Sequence, residues 1–316
     1  MERMKFEQEI EKRLEKETGK KYEVRMKKMT KNNGQVLTAL QVRMQGERTG
    51  ALLYMENSMD FLDQTLDEES LLAVATEKVL DFVRHGAKFP LSEEEIDRFL
   101  CWDKARKQVV FRFINREWNA SQLSEMPHRE YLDLAVVYSI CFPRGEDMYL
   151  GRVDNTHLEL WGINEEELYQ AAMENTPTLL GEQLVELRKV LKEMSPCMPW
   201  VEDERGDGFN QPELYILSNR MGTQGATVVL YSKKVKELAE RKRSDLYLLP
   251  ASVHELLAMP VNSGMPVEAI LAMVRMVNFQ DVQPMDRLSN NVYRYFRKTG
   301  EIMVIRNATE DRKDEI

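Results

Sequence analysis

Apolar positions along the chain change period several times, and each change marks an element. In "MERMKFEQEIEKRLEKETGKK" Phe6, Ile10 and Leu14 recur every fourth residue, one stripe of a surface helix, and no run has the apolar length of a signal peptide. "YEVRMKKMT" and "LTALQVRM" then read as strands around "KNNGQ", whose Asn33-Gly34 pair tolerates the positive φ of a hairpin turn. The helical period returns in "LDEESLLAVATEKVLDFVRHG", with Leu71, Leu72, Ala75, Val79, Leu80 and Val83 on one face, Asp67 as N-cap and Gly86 as stop. Ser92 and Glu95 have capping-box spacing for a further short helix.

The middle of the chain alternates again. "KQVVFRFIN" and "LDLAVVYSICF" are rich in β-branched and aromatic residues, and the second is too continuously apolar for an exposed strand, which predicts a central one. "DMYLGRV" is a strand after the turn "PRGE", "DNTHLELWG" a short helical turn, and Asn164 with Glu167 a second capping box opening a helix. A further helix is predicted through "LLGEQLVELRKVLKEM". The periodicity then stops in "SPCMPWVEDERGDGFNQPE", a Pro-, Gly- and acid-rich stretch that reads as a linker.

Beyond it the pattern gives strand "LYILS", turn "NRMGTQG", strand "ATVVLY" and helix "KKVKELAERK". "SDLYLLPASVHELLAMP" suits either a two-turn helix or a hairpin, and two apolar runs around a small polar loop favour the hairpin. Helix "MPVEAILAMVRMV", with Pro266 in its first turn, and a closing hairpin around Gly300 complete the order. The sum is an α+β fold, mainly antiparallel sheets built from hairpins with helices packed on them, in two subdomains. These are expected at 1–195, with a secondary break near 105, and at 210–308, joined by a linker at 196–209 and followed by a charged tail at 309–316.

Composition adds limits. A chain of 316 residues buries enough surface to need neither disulfides nor structural metal. Its three cysteines, Cys101, Cys141 and Cys197, are far apart and lack CxxC spacing, as free thiols of a reducing compartment would. With 44 Lys+Arg against 53 Asp+Glu, the net charge of -9 repels phosphate backbones, and the short basic runs sit where helix ends carry positive charge; no nucleic-acid partner is expected. The thiols and the lack of a signal-peptide run point to the cytoplasm, and no window has the apolar length of a membrane span, so no membrane partner is expected. The 19 methionines follow no single stripe and read as core filler, and Trp161 as a packing anchor.

Reactive motifs are few. "DERGDGF" fails as a calcium loop, because Arg205 and Leu214 stand where oxygen ligands belong. "MGTQG" lacks phosphate-loop spacing, GxSxG is absent, and neither HExxH nor a Cys cluster offers a metal site; no cofactor is expected. His85 sits at a helix end, and His128 and His157 lie in or beside short helical turns. Ser252, His254 and Glu255 are the residue types of nucleophile, base and orienting acid, yet three neighbours on one loop rarely converge on one atom. Ser252 and Glu255 also fit a capping box, so His254 reads as a residue that finishes a turn.

"MPHREYLDLAVVYSI", "NTHLELWGINEEELYQAAMENTP", "LYILSN" with "GATVVLY", and "SDLYLLPASVHELLAMPV" resemble a bacterial family classed as a domain of unknown function. The resemblance covers nearly the whole chain. It implies a cytosolic bacterial protein of mixed α and β structure and supports the hairpin reading, without supplying an activity, cofactor or catalytic residue. Two functions stay open. One is a non-catalytic binding or regulatory protein with another protein as partner; the other is a hydrolase or transferase with a site assembled from Ser252, His254, Glu255 and Asn219.

Overall fold

The computed structural model describes residues 3–18, 22–47, 50–55, 67–85, 92–144, 147–194 and 213–306. Two compact units divide it, residues 1–99 and 100–316. Every strand pairing among the described residues is antiparallel, so the α+β class with several hairpin-built sheets holds. No helix among them is long and apolar enough to cross a membrane.

The first unit sets helices α1 (Arg3–Thr18) and α2 (Glu68–Arg84) against a sheet of β1 (Tyr22–Thr30), β2 (Val36–Met44) and β3 (Ala51–Tyr54), and also holds most of α3 (Glu93–Leu100). The predicted hairpin forms in full register, Tyr22 opposite Met44, and Asn33 and Gly34 take φ of 59° and 69° in its turn. Phe6, Ile10 and Leu14 meet Val24, Leu40 and Val42 from the sheet and Leu72, Ala75 and Val79 from α2 in one core. Both predicted caps form: Asp67 accepts from Ser70 N–H, and Ser92 and Glu95 close a reciprocal box. Gly86 lies outside the described residues. Strand β1 is a sheet edge, and two carboxylates of α1 cover it, Glu7 accepting from Met26 N–H at 2.7 Å and Glu11 from Val24 N–H at 2.9 Å.

The second unit holds two sheets. In the smaller, β6 (Leu134–Arg144) is central as predicted, with β4 (Val109–Asn115) along one side and β5 (His128–Tyr131) and β7 (Asp147–Arg152) end to end along the other. Residues 145–146 of the turn "PRGE" lie outside the described set. Short helices α4 (Trp102–Ala105) and α5 (Ala120–Leu123) flank β4 in sequence. Then come α6 (Asn155–Trp161), whose Trp161 is buried with its ring 5.4 Å from Trp102, and α7 (Glu165–Leu180), opened by the Asn164–Glu167 box. Thr176 of α7 accepts from Phe111 N–H on the edge strand β4.

The larger sheet runs β13-β12-β10-β11-β9-β8, with β8 (Gln183–Glu186), β9 (Tyr215–Ser218), β10 (Leu246–Pro250), β11 (Leu256–Pro260), β12 (Val292–Tyr295) and β13 (Ile302–Ile305). Helix α8 (Leu187–Met194) follows β8, α9 (Lys234–Lys242) precedes β10, and α10 (Val267–Gln280) precedes β12. Leu248 pairs with Ala258, so "SDLYLLPASVHELLAMP" is a hairpin and not a helix. Its neighbours Met259, Ile270 and Val292 close the core under α10. Pro266 is the N-cap of α10, one position earlier than expected.

Two expectations are corrected. The single helix foreseen over residues 179–194 is broken at Gly181, whose φ of 65° ends α7, and residues 183–186 add a strand beside β9 instead. "ATVVLY" is not a strand: Gly225–Leu230 forms a 3-10 helix, because β9 already has β8 and β11 on its two sides and leaves no edge to extend. His128 opens β5 beside the turn that follows α5, its Nδ1 2.9 Å from Met126 O. The linker expected at 196–209 lies outside the described residues; β8 before it pairs with β9 after it.

The sheets of this unit are joined at Asp133, in the tight turn between β5 and β6. Its carboxylate accepts from Ser289 Oγ at 2.6 Å, Asn291 Nδ2 at 2.7 Å and Tyr293 Oη at 2.9 Å, while Asn115 Nδ2 donates to Leu288 O. Burial and the adjacent Asp133 carboxylate hold the Tyr293 phenol well above its ordinary pKa. Leu132 beside it keeps a φ of 58°, unusual for a branched side chain. Replacing Asp133 by Ala strands three donors, and we expect a loss of about 3 kcal/mol in urea unfolding, against about 1 kcal/mol for Tyr293→Phe. An unchanged midpoint for the alanine variant would contradict this role.

Candidate functional site

Antiparallel pairing brings the candidate residues together. Leu217 near the end of β9 lies opposite Leu256 at the start of β11, so the segment leaving β9 and the loop entering β11 share one end of the sheet. Asn219 and the 252–255 loop therefore meet, as the assembled-site reading required. Their chemistry, however, is turned inward.

Asn219 is fully buried and closes its own turn, Oδ1 accepting from Met221 N–H at 3.0 Å and Nδ2 donating to Thr223 O at 2.8 Å. Ser218 Oγ donates to His254 O at 2.8 Å, and Ala226 N–H to Val253 O at 3.2 Å. Gly225 permits this approach: a Cβ there would stand 2.1 Å from Ser218 Oγ, 2.5 Å from His254 O and 2.7 Å from Asn219 N. Ser252 Oγ accepts from His254 N–H at 3.0 Å, and Ser252 N–H donates to Glu255 O at 3.3 Å, so these two residues shape a turn instead of a helix cap. Among the described residues no bond links the Glu255 carboxylate to His254 or Ser252.

His254 decides what the cluster can do. Its Nδ1 accepts from Gln224 N–H at 3.2 Å, which leaves the ring proton on Nε2, and Nε2 faces Asp286 Oδ1 at 3.5 Å. Val253 N–H donates to Asp286 O at 2.8 Å and fixes that second contact. A general base needs a free lone pair within reach of a substrate proton, and here the only lone pair receives a main-chain N–H. The ring is about one-third exposed, at 34%, so it rims the cluster and does not floor a cleft.

The chain's other histidines have local tasks too. His85 Nδ1 lies 2.9 Å from Asp81 O at the end of α2, His128 Nδ1 2.9 Å from Met126 O, and His157 Nδ1 2.6 Å from Asp154 Oδ1 in the cap of α6. Among the described residues no three His, Cys, Asp or Glu side chains gather to hold a metal ion. Cys101 is exposed and Cys141 buried, both as free thiols, and burial pushes the Cys141 thiol up to about 11. Cys197 lies outside the described residues.

Two features carried no sequence signal. A cavity of about 540 Å³ opens beside the β12–β13 turn, lined among others by Arg243, Asp245, Asn262, Arg294, Lys298 and Glu301. Arg294 is held there by Asp245 at 2.9 Å, and the Ser244 and Thr299 hydroxyls accept main-chain N–H groups. The second feature is Arg112 of β4, whose Nε donates to Gln224 Oε1 at 3.4 Å, the outer limit of a hydrogen bond. Burial, then repulsion by Arg152, push its guanidinium below its ordinary range. Only strand register could have revealed this pairing.

The family of unknown function DUF5688 matches residues 3–297. The chain belongs to that family. No curated protein and no solved structure matches it. Membership therefore accounts for the shared segments without assigning chemistry to Asn219, Ser252, His254 or Glu255, and the geometry above is what speaks for them.

Two variants test this reading. We expect Gly225→Ala to cost about 3 kcal/mol, because its Cβ meets backbone that cannot give way, and His254→Ala about 1 kcal/mol, both from urea unfolding. An alanine at 225 with native stability would contradict the close approach. Iodoacetamide at mildly alkaline pH should label Cys101 and spare Cys141 until the chain unfolds, read by peptide mass mapping; rapid native labelling of Cys141 would refute its burial.

Proposed function

We propose that this family member is a non-catalytic binding or regulatory protein of the bacterial cytoplasm, with another protein as partner and neither nucleic acid nor membrane. The observation that carries the reading is the commitment of His254, one ring nitrogen receiving the Gln224 main-chain N–H and the other facing Asp286. The most reactive set of residues in the chain serves the backbone of its own loops. The cavity beside the β12–β13 turn, of ligand size, supports a binding role. The net charge of -9 favours a partner other than a phosphate backbone.

A fluorophosphonate probe tests it, since such reagents label serines activated by a base. We expect Ser252 in the native protein to remain unlabelled. Stoichiometric labelling of Ser252 that disappears in His254→Ala would sink the non-catalytic reading and restore the hydrolase.

A further inference from the structure

Strand register places two arginines and a buried hydroxyl on one face of the smaller sheet. Ser139 of β6 lies opposite Arg152 of β7 on one side and Val110 of β4 on the other. Arg112 is two residues beyond Val110, and side chains two apart on a strand share a face. Arg112, Ser139 and Arg152 therefore point the same way. The opposite face is filled by Phe111 and Tyr138, whose rings lie 6.1 Å apart.

Neither the two charges nor the hydroxyl is balanced. Ser139 Oγ is buried without a hydrogen-bond partner. Among the described residues neither guanidinium meets a carboxylate, and the charge felt most strongly by Arg112 is that of Arg152, a like charge. Proteins seldom leave a partly buried cation beside another cation and an orphan hydroxyl, because each loses hydration without replacement. Arg152 is exposed, Arg112 and Gln224 are half-buried and Ser139 is fully buried, so the group runs from the surface inward to the hydroxyl.

We infer that Arg112, Arg152 and Ser139 bind the phosphate group of a small phosphorylated molecule. Two guanidinium forks match the charge of a dianion, and a tetrahedral oxyanion has an oxygen left to accept from the serine hydroxyl, whereas a carboxylate has one charge and two oxygens. Gln224 links this place to the loop cluster, because its side chain holds Arg112 and its N–H holds His254. The inference goes beyond the non-catalytic reading and would stand if that reading fell.

The test is calorimetric titration of the full chain with inorganic phosphate, and with acetate for comparison. We expect saturable phosphate binding, weakened about tenfold in Arg152→Gln, whose exposed position leaves folding intact, and also weakened in Ser139→Ala at unchanged or raised melting temperature. Lys236→Gln, an equal loss of charge on α9, should bind as the wild type does. Absence of saturation by about 10 mM phosphate would overturn the proposal. So would acetate binding as tight as phosphate binding, or equal weakening in Lys236→Gln and Arg152→Gln.

Discussion

Main-chain groups that leave water must find partners, and in this chain side chains from other elements supply many of them. Glu7 and Glu11 of α1 cover the N–H groups of edge strand β1, and Thr176 of α7 does the same for β4. At the end of the larger sheet the same demand falls on Ser218, Asn219, Ser252 and His254. An isolated sheet edge would be a template for unwanted pairing. Here carboxylates and a hydroxyl close the edges, hydroxyls, an amide and an imidazole close the loops at the strand ends, and residues that look reactive in the sequence are occupied in the fold.

The parts of the fold set by neighbouring residues were legible in advance. The Asn33-Gly34 turn, the Asp67, Ser92 and Asn164 caps, the helix stripe at Phe6, Ile10 and Leu14, and the hairpin over residues 246–260 all depend on local chemistry, and all formed. Failures occurred where distant pairing outweighed local preference. Residues 183–186 read as helix but became a strand because β9 offered them an edge, and residues 226–231 read as strand but Gly225–Leu230 coiled into the 3-10 helix because that edge was already taken. The pairing of β8 with β9, strands separated by nearly thirty residues of sequence, is likewise invisible in composition.

The candidate site divides along the same line. That His254 finishes a turn followed from its neighbours, although its particular partners, Gln224 and Asp286, come from distant segments. Arg112 and Arg152 carried no motif at all; they meet through the register of three strands. The contrast between the two places is physical. Around His254 every ring nitrogen has a counterpart, while around Ser139 two cations meet no carboxylate among the described residues and the hydroxyl has no partner, and unmet demand of that kind marks where a ligand belongs.

The central claim is that the His254 ring is held by its surroundings in one tautomer. Long-range proton–nitrogen correlation spectra of the imidazole in the native protein address it directly, because protonated and bare ring nitrogens resonate far apart. A bare, hydrogen-bonded Nδ1 with the proton on Nε2 is the predicted result. A proton on Nδ1, or an averaged signal from a ring that exchanges freely between tautomers, would show that the Gln224 N–H does not hold it and that the imidazole is available for chemistry.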